Sequence, residues 1–131
     1  MYGYKIKVKM GFDEAIQKVK EELIKEGFGV LTEIDVTATL KKKLNVDFKK
    51  YVILGACHPP SAYLALQAEE DIGLLLPCNI IIYKVQEQTI ISAIKPSVAM
   101  QMVDNPQLTK ISEDIEGKLI QIINNVDDKN E

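Results

Sequence analysis

The chain has little of the chemistry that announces a function. Its 131 residues include one histidine and two cysteines, and its net charge is -3. Two cysteines do not make a disulfide framework, and no CxxC or HxxxH spacing marks a zinc module. The acidic balance excludes a sequence-independent nucleic-acid binder, which needs a basic face to neutralise phosphates. Lysines do cluster at Lys41, Lys42, Lys43, Lys49 and Lys50, and this block reads as a solvated corner. No Gly-rich phosphate loop is present, because Gly27 and Gly29 follow a helical pattern and do not open one. Pro77, Asn79 and Lys84 break the longest apolar stretches short of a membrane span. The start, Met1-Tyr2-Gly3-Tyr4-Lys5-Ile6, has no apolar core of a signal peptide. The expected setting is therefore cytoplasmic, with no membrane and no nucleic acid as partners, and there both cysteines stay thiols.

What is present is clear periodicity. Tyr4, Ile6, Val8 and Met10 alternate with Lys5, Lys7 and Lys9, the pattern of a half-buried strand. Gly11 precedes a helix, with Glu14 placed to reach back to a free amide. Phe12, Ala15, Ile16, Val19 and Leu23 form its apolar stripe, and Gly27 ends it, letting Phe28 fold back. A second strand runs from Phe28 to Val36, with Phe28, Val30, Ile34 and Val36 on one face. Thr37 or Thr39 is expected to cap a short helix through Leu44. Tyr51 to Cys57 is nearly all apolar and reads as a central strand. Pro60 suits the first position of a helix to about Asp71. Asn79 to Val85 and Thr89 to Lys95 read as a hairpin around Gln86-Glu87-Gln88. Pro96 to Val103 holds one helical turn, and Asn105-Pro106 opens the last helix. Its apolar face is Leu108, Ile111, Ile115, Leu119, Ile122 and Val126.

These elements predict one α+β domain over residues 1–126 and a disordered tail over 127–131. The domain is a two-layer arrangement: a mostly antiparallel five-stranded sheet, two long helices on one face, and short inserted helices. The alternative is α/β, with Tyr51 to Val85 read as a right-handed strand-helix-strand crossover.

The two architectures make opposite statements about the chain's only sulfur-and-imidazole chemistry. Cys57-His58-Pro59-Pro60 and Leu76-Pro77-Cys78-Asn79 are matched turns at strand ends. Antiparallel neighbours bring Cys57 and Cys78 to one rim. A parallel pair separates them by roughly 20 Å over a seven-residue strand. Together, Cys57, His58 and Cys78 suit a soft metal, Zn(II) or Cu(I), with Met100 and Met102 as thioether candidates. Two such thiols would form a reversible disulfide if their Cα atoms came within about 7 Å. The same rim also suits a small-ligand pocket. Against these stands a plainer reading, in which the cysteines are small core hydrophobes of a non-catalytic homodimeric scaffold. Acid–base catalysis has less support. Glu33 and Asp35 fall on the polar face of the second strand, and Glu69, Glu70 and Asp71 end a helix, all explained by solvation. Ser61 near His58 has no identifiable third member of a triad, so the chain reads as more a binding module than an enzyme.

Four segments carry a family resemblance: Glu26-Gly27-Phe28-Gly29-Val30, Gly55-Ala56-Cys57-His58-Pro59, Leu75-Leu76-Pro77-Cys78-Asn79, and Asn105-Pro106 before an amphipathic helix. In this order and spacing the chain resembles, over nearly its whole length, the bacterial and archaeal family called domain of unknown function 302. The resemblance implies an antiparallel sheet with helices on one face, similar to the TATA-binding-protein-like fold, and homodimers. It implies no activity and no DNA binding, since a shared fold carries no function. This chain has His58 where family members often carry Asn, which leaves Cys57 and Cys78 as the better shared feature.

Overall fold

Every neighbouring pair of strands is antiparallel, and the sheet runs β1-β5-β4-β3-β2. The structure, a computed structural model, describes residues 1–127. In chain order the elements are β1 (Gly3–Val8), α1 (Phe12–Lys25), β2 (Gly29–Asp35), α2 (Val36–Leu44), β3 (Tyr51–Cys57), α3 (Pro59–Ala68), β4 (Cys78–Val85), β5 (Gln88–Ile94), α4 (Pro96–Ala99) and α5 (Gln107–Val126). Two 3₁₀ segments, Glu70–Leu75 and Met100–Met102, complete it. The α+β architecture holds. The crossover alternative fails because β3 and β4 pair antiparallel, from Tyr51 opposite Tyr83 to Ala56 opposite Cys78.

The core follows from periodicity. The predicted stripe of α1 is buried throughout: Phe12, Ala15, Ile16, Val19 and Leu23. The helix stops as Gly27 turns to φ 82°. Gly27 N–H then donates to Ile24 O at 3.0 Å and Phe28 N–H to Leu23 O at 2.9 Å, the paired bonds of a glycine-terminated helix. From α5, Leu119, Ile122, Ile123 and Val126 meet this stripe over one face of the sheet, whose inward row includes Leu54, Ile80, Ile82 and Ile91. Tyr4 tethers the layers, its hydroxyl donating to Asn124 Oδ1 at 2.7 Å.

Strand β2 departs from the expected alternation. Val30 pairs with Ala56, but Thr32 pairs with Gly55, so Leu31 is an extra residue in a β-bulge. A bulge shifts every later side chain to the other face. Ile34 therefore does not share a face with Val30; it pairs with Ile53 and is exposed. Glu33 instead pairs with Leu54, on the helix side, where Lys20 of α1 meets its carboxylate at 2.6 Å. Asp35 caps α2, its Oδ1 accepting from Ala38 N–H at 2.9 Å. Neither Thr37 nor Thr39 plays that role; Thr37 Oγ1 donates to Lys49 O and accepts from Tyr51 N–H, pinning the start of β3.

A second, smaller apolar cluster lies beside the main core. Ala65 of α3, Ile72 and Leu108 of α5 are its buried members, with Leu75, Leu76, Met100 and Ile111 packed around them. Helix α3 is shorter than expected. It starts at Pro59 and gives way after Ala68 to the 3₁₀ segment. Asn105 ties this cluster to α5: its Nδ2 donates to Ala68 O at 2.7 Å, and its Oδ1 accepts from Gln107 N–H at 3.0 Å. Of the expected disordered tail, Asp127 still bonds back to Asn124 O, and residues 128–131 lie outside the described residues.

Candidate functional site

The two sulfur-bearing turns meet. Cys78 opens β4 opposite Ala56, one register position from Cys57 at the end of β3. Both thiols, His58 and Ser61 line one cavity of about 280 Å³ between these strand ends, α3 and the first half of α5. Most of the remaining wall is hydrocarbon: Phe28, Ala65, Leu76, Pro77, Leu108 and Ile115 are examples. Leu31 and Leu66 also line it while staying 66% and 43% exposed, so they mark its mouth. The bulge in β2 aims Leu31 there.

Local sequence dictates the shape of this end. The Leu76-Pro77 bond is cis, and Pro77 lies against Gly55, where an added Cβ would sit 2.8 Å from Pro77 Cγ and overlap Thr32 Oγ1. A side chain at this position would force Thr32 of β2 and Pro77 to shift. His58 is the N-cap of α3, with Pro59 and Pro60 preset for the first turn. Its Nδ1 is joined to Ser61 Oγ by a 2.8 Å hydrogen bond. The ring packs on Phe28, with centroids 5.2 Å apart and planes at 48°. Gly27 lies beside the ring, and its φ of 82° is what calls for glycine there.

The electrostatics favour the neutral forms of His58 and Cys78. Burial lowers the His58 pKa below its ordinary value, and Lys118 adds to the effect. The imidazole is then neutral near pH 7. Burial pushes the Cys78 thiol up to about 11, and neighbouring Cys57 contributes in the same direction. A thiol so placed stays protonated, whereas the thiolate is the nucleophile and the metal ligand. Among the described residues, no group of three or more His, Cys, Asp or Glu side chains is arranged to hold a metal ion. Cys57, His58 and Cys78 thus share a cavity without composing a three-ligand set. Met100 does reach the cavity wall. Met102 does not line it and is 76% exposed, because the 3₁₀ turn separates the two thioethers.

Several contributors had no signal in the sequence reading. Phe28 as a platform for His58, Leu31 at the mouth, and Leu108, Ile111 and Ile115 as the far wall all depend on tertiary placement. The His58–Ser61 bond was within reach, because an N-cap and the residue three later face one another.

The family model described as "Domain of unknown function DUF302" matches residues 4–126. No curated protein matches the chain. A solved structure of an uncharacterized conserved DUF302 protein from Bacillus stearothermophilus is 35% identical, covers 95% of this chain and 97% of its own, and superposes with a TM-score of 0.89. A family match over the whole sheet and both long helices, with a solved fold at that identity, decides the kinship: this chain belongs to the DUF302 family, whose function is unknown.

Proposed function

We propose that the protein is a non-catalytic binding domain that holds a small, mainly apolar ligand in the cavity walled by Cys57, His58, Ser61 and Cys78. One observation carries this reading: the chain's chemically distinctive residues converge on a hydrocarbon-lined space in which both the imidazole and the Cys78 thiol favour their neutral forms. An apolar cavity of about 150 Å³ accepts benzene, so about 280 Å³ accepts roughly two rings or a chain of about ten carbons. The His58–Ser61 pair supplies the directional polar contact that such pockets use to orient a ligand. Soft-metal binding and thiol redox sensing fit less well, because both require the thiolate that burial of Cys78 opposes.

The test uses prodan, an uncharged two-ring naphthalene dye whose fluorescence responds to apolar surroundings. Saturable fluorescence enhancement, reversed by decan-1-ol and lost in Ala62→Phe, supports the reading. Ala62 lines the cavity from α3, so the larger ring fills it. Equal enhancement in Ala62→Phe would place the dye elsewhere and defeat it.

A second reading concerns assembly in the cytoplasm. The sheet face opposite the long helices carries Ile53, Ile81 and the stacked Tyr51–Tyr83 pair, whose rings lie 5.3 Å apart at 9°. These side chains are only half-buried, and apolar patches of this kind mark interaction surfaces. We read this face as the homodimer surface that the family resemblance implies. Light scattering after size exclusion tests it: a dimer that dissociates in Ile81→Lys supports it, and a monomeric parent protein overturns it.

A further inference from the structure

A second concavity adjoins the first. A cleft of about 460 Å³ lies on the other side of Met100, Leu108 and Ser112, which line both spaces. Its character is different. Ser97, Gln101, Asp104, Thr109 and Glu113 line it, and no lysine does, among the described residues. The apolar cavity thus has a polar, acidic neighbour across a wall three side chains wide.

The wall is unequal. Leu108 and Ser112 are buried, at 2% and 4% exposure, and Ser112 is fixed further by donating from Oγ to Thr109 O at 2.9 Å. Met100 is only half-buried and sits where α4 passes into a 3₁₀ turn. Methionine is unbranched and adapts its shape at low cost. It is the member of the wall that can swing to join the two spaces.

We infer that the ligand is an amphiphile whose apolar body fills the cavity and whose uncharged or cationic hydrogen-bonding head passes Met100 into the cleft. This deepens the ligand-binding reading above and rests on it. The head's chemistry follows from the cleft. Hydroxyl and amide side chains offer hydrogen bonds to an alcohol or an amine. Asp104 and Glu113 attract an ammonium group and repel a carboxylate or phosphate. Glu116 reinforces that bias from beside Ser97, whose N–H bonds its carboxylate at 3.0 Å. Lys110, the lysine next to Thr109, pairs with Asp114 at 3.6 Å. The chain has no arginine, so no bidentate carboxylate clamp is available.

Three ten-carbon probes test the inference: decan-1-ol, decylamine and decanoate, each displacing prodan from the intact protein below its aggregation limit. The expected order is decylamine at least as tight as decan-1-ol, and decanoate about tenfold weaker than decylamine. In Asp104→Asn/Glu113→Gln, the amine-to-carboxylate preference should shrink to about twofold, with decan-1-ol unchanged. Equal binding of all three probes, unmoved by the double variant, overturns the head-group inference and leaves the cavity reading intact. Failure of every probe to displace the dye overturns both.

Discussion

The main core and the smaller cluster beside it are built from the same kinds of side chain and end in different states. Between the long helices and the sheet, Leu23, Leu54, Ile80, Ile82, Leu119 and Ile122 are at most 1% exposed. Around α3 only Ala65, Ile72 and Leu108 are buried, while Tyr63, Leu64 and Leu66 of that helix face solvent at 43% or more. The first region shuts out solvent almost completely. The second closes around a space. On the proposed reading, stability is concentrated in one and ligand binding in the other, with the chain's cysteines and histidine lining the space.

Truncation should separate the two regions most sharply. Leu54→Ala removes a fully buried side chain and should cost about 2–5 kcal/mol in urea unfolding. Leu66→Ala, at the mouth, should cost less than about 1 kcal/mol. Equal costs would erase the distinction. Overpacking should repeat it with opposite use of space. Ala15→Leu has no room beneath α1 and should lose about 1–3 kcal/mol, whereas Ala62→Leu points at free volume and should stay within about 1 kcal/mol of the parent. The closing glycine gives an intermediate effect. Gly55→Ala should destabilise by about 1–3 kcal/mol, because Thr32 and Pro77 must yield to the new Cβ.

The smallest effect is a pH dependence at His58. The folded state holds the His58 pKa below its ordinary value. The unfolded chain therefore binds more protons in the window below about 6.5. Stability contributed by neutral His58 is present above that pH and is lost as pH falls through the folded-state pKa. Urea midpoints taken from pH 7.5 to 5 should decline in the parent protein and decline less in His58→Gln. A parent midpoint that rises on acidification would reverse the assigned sign.

Much of the fold was legible because it rests on periodicity. The stripes of α1 and α5, the alternation of β1, the apolar run of β3 and the Gly27 stop all report local rules that burial then satisfies. The Leu31 bulge had no such marker. It exchanged the faces of Glu33 and Ile34, and Glu33 turned from a solvated carboxylate into the partner of Lys20. The Asp35 cap was hidden for the same reason, since its residue appeared to belong to a strand face. At the site, the meeting of Cys57 and Cys78 follows from an antiparallel pairing of their strands. The protonation of Cys78 was not, because desolvation comes from side chains distant in sequence. The separation of Met100 from Met102 depended on a 3₁₀ turn that spacing alone did not reveal.

His58 is the chain's only histidine, so its imidazole protons give a single set of NMR signals that reports directly on the cavity. Adding decan-1-ol should shift these signals saturably, while Zn(II) at equal concentration leaves them in place. Signals that ignore the alcohol and respond stoichiometrically to the metal would contradict an apolar ligand site and restore a soft-metal centre at Cys57, His58 and Cys78.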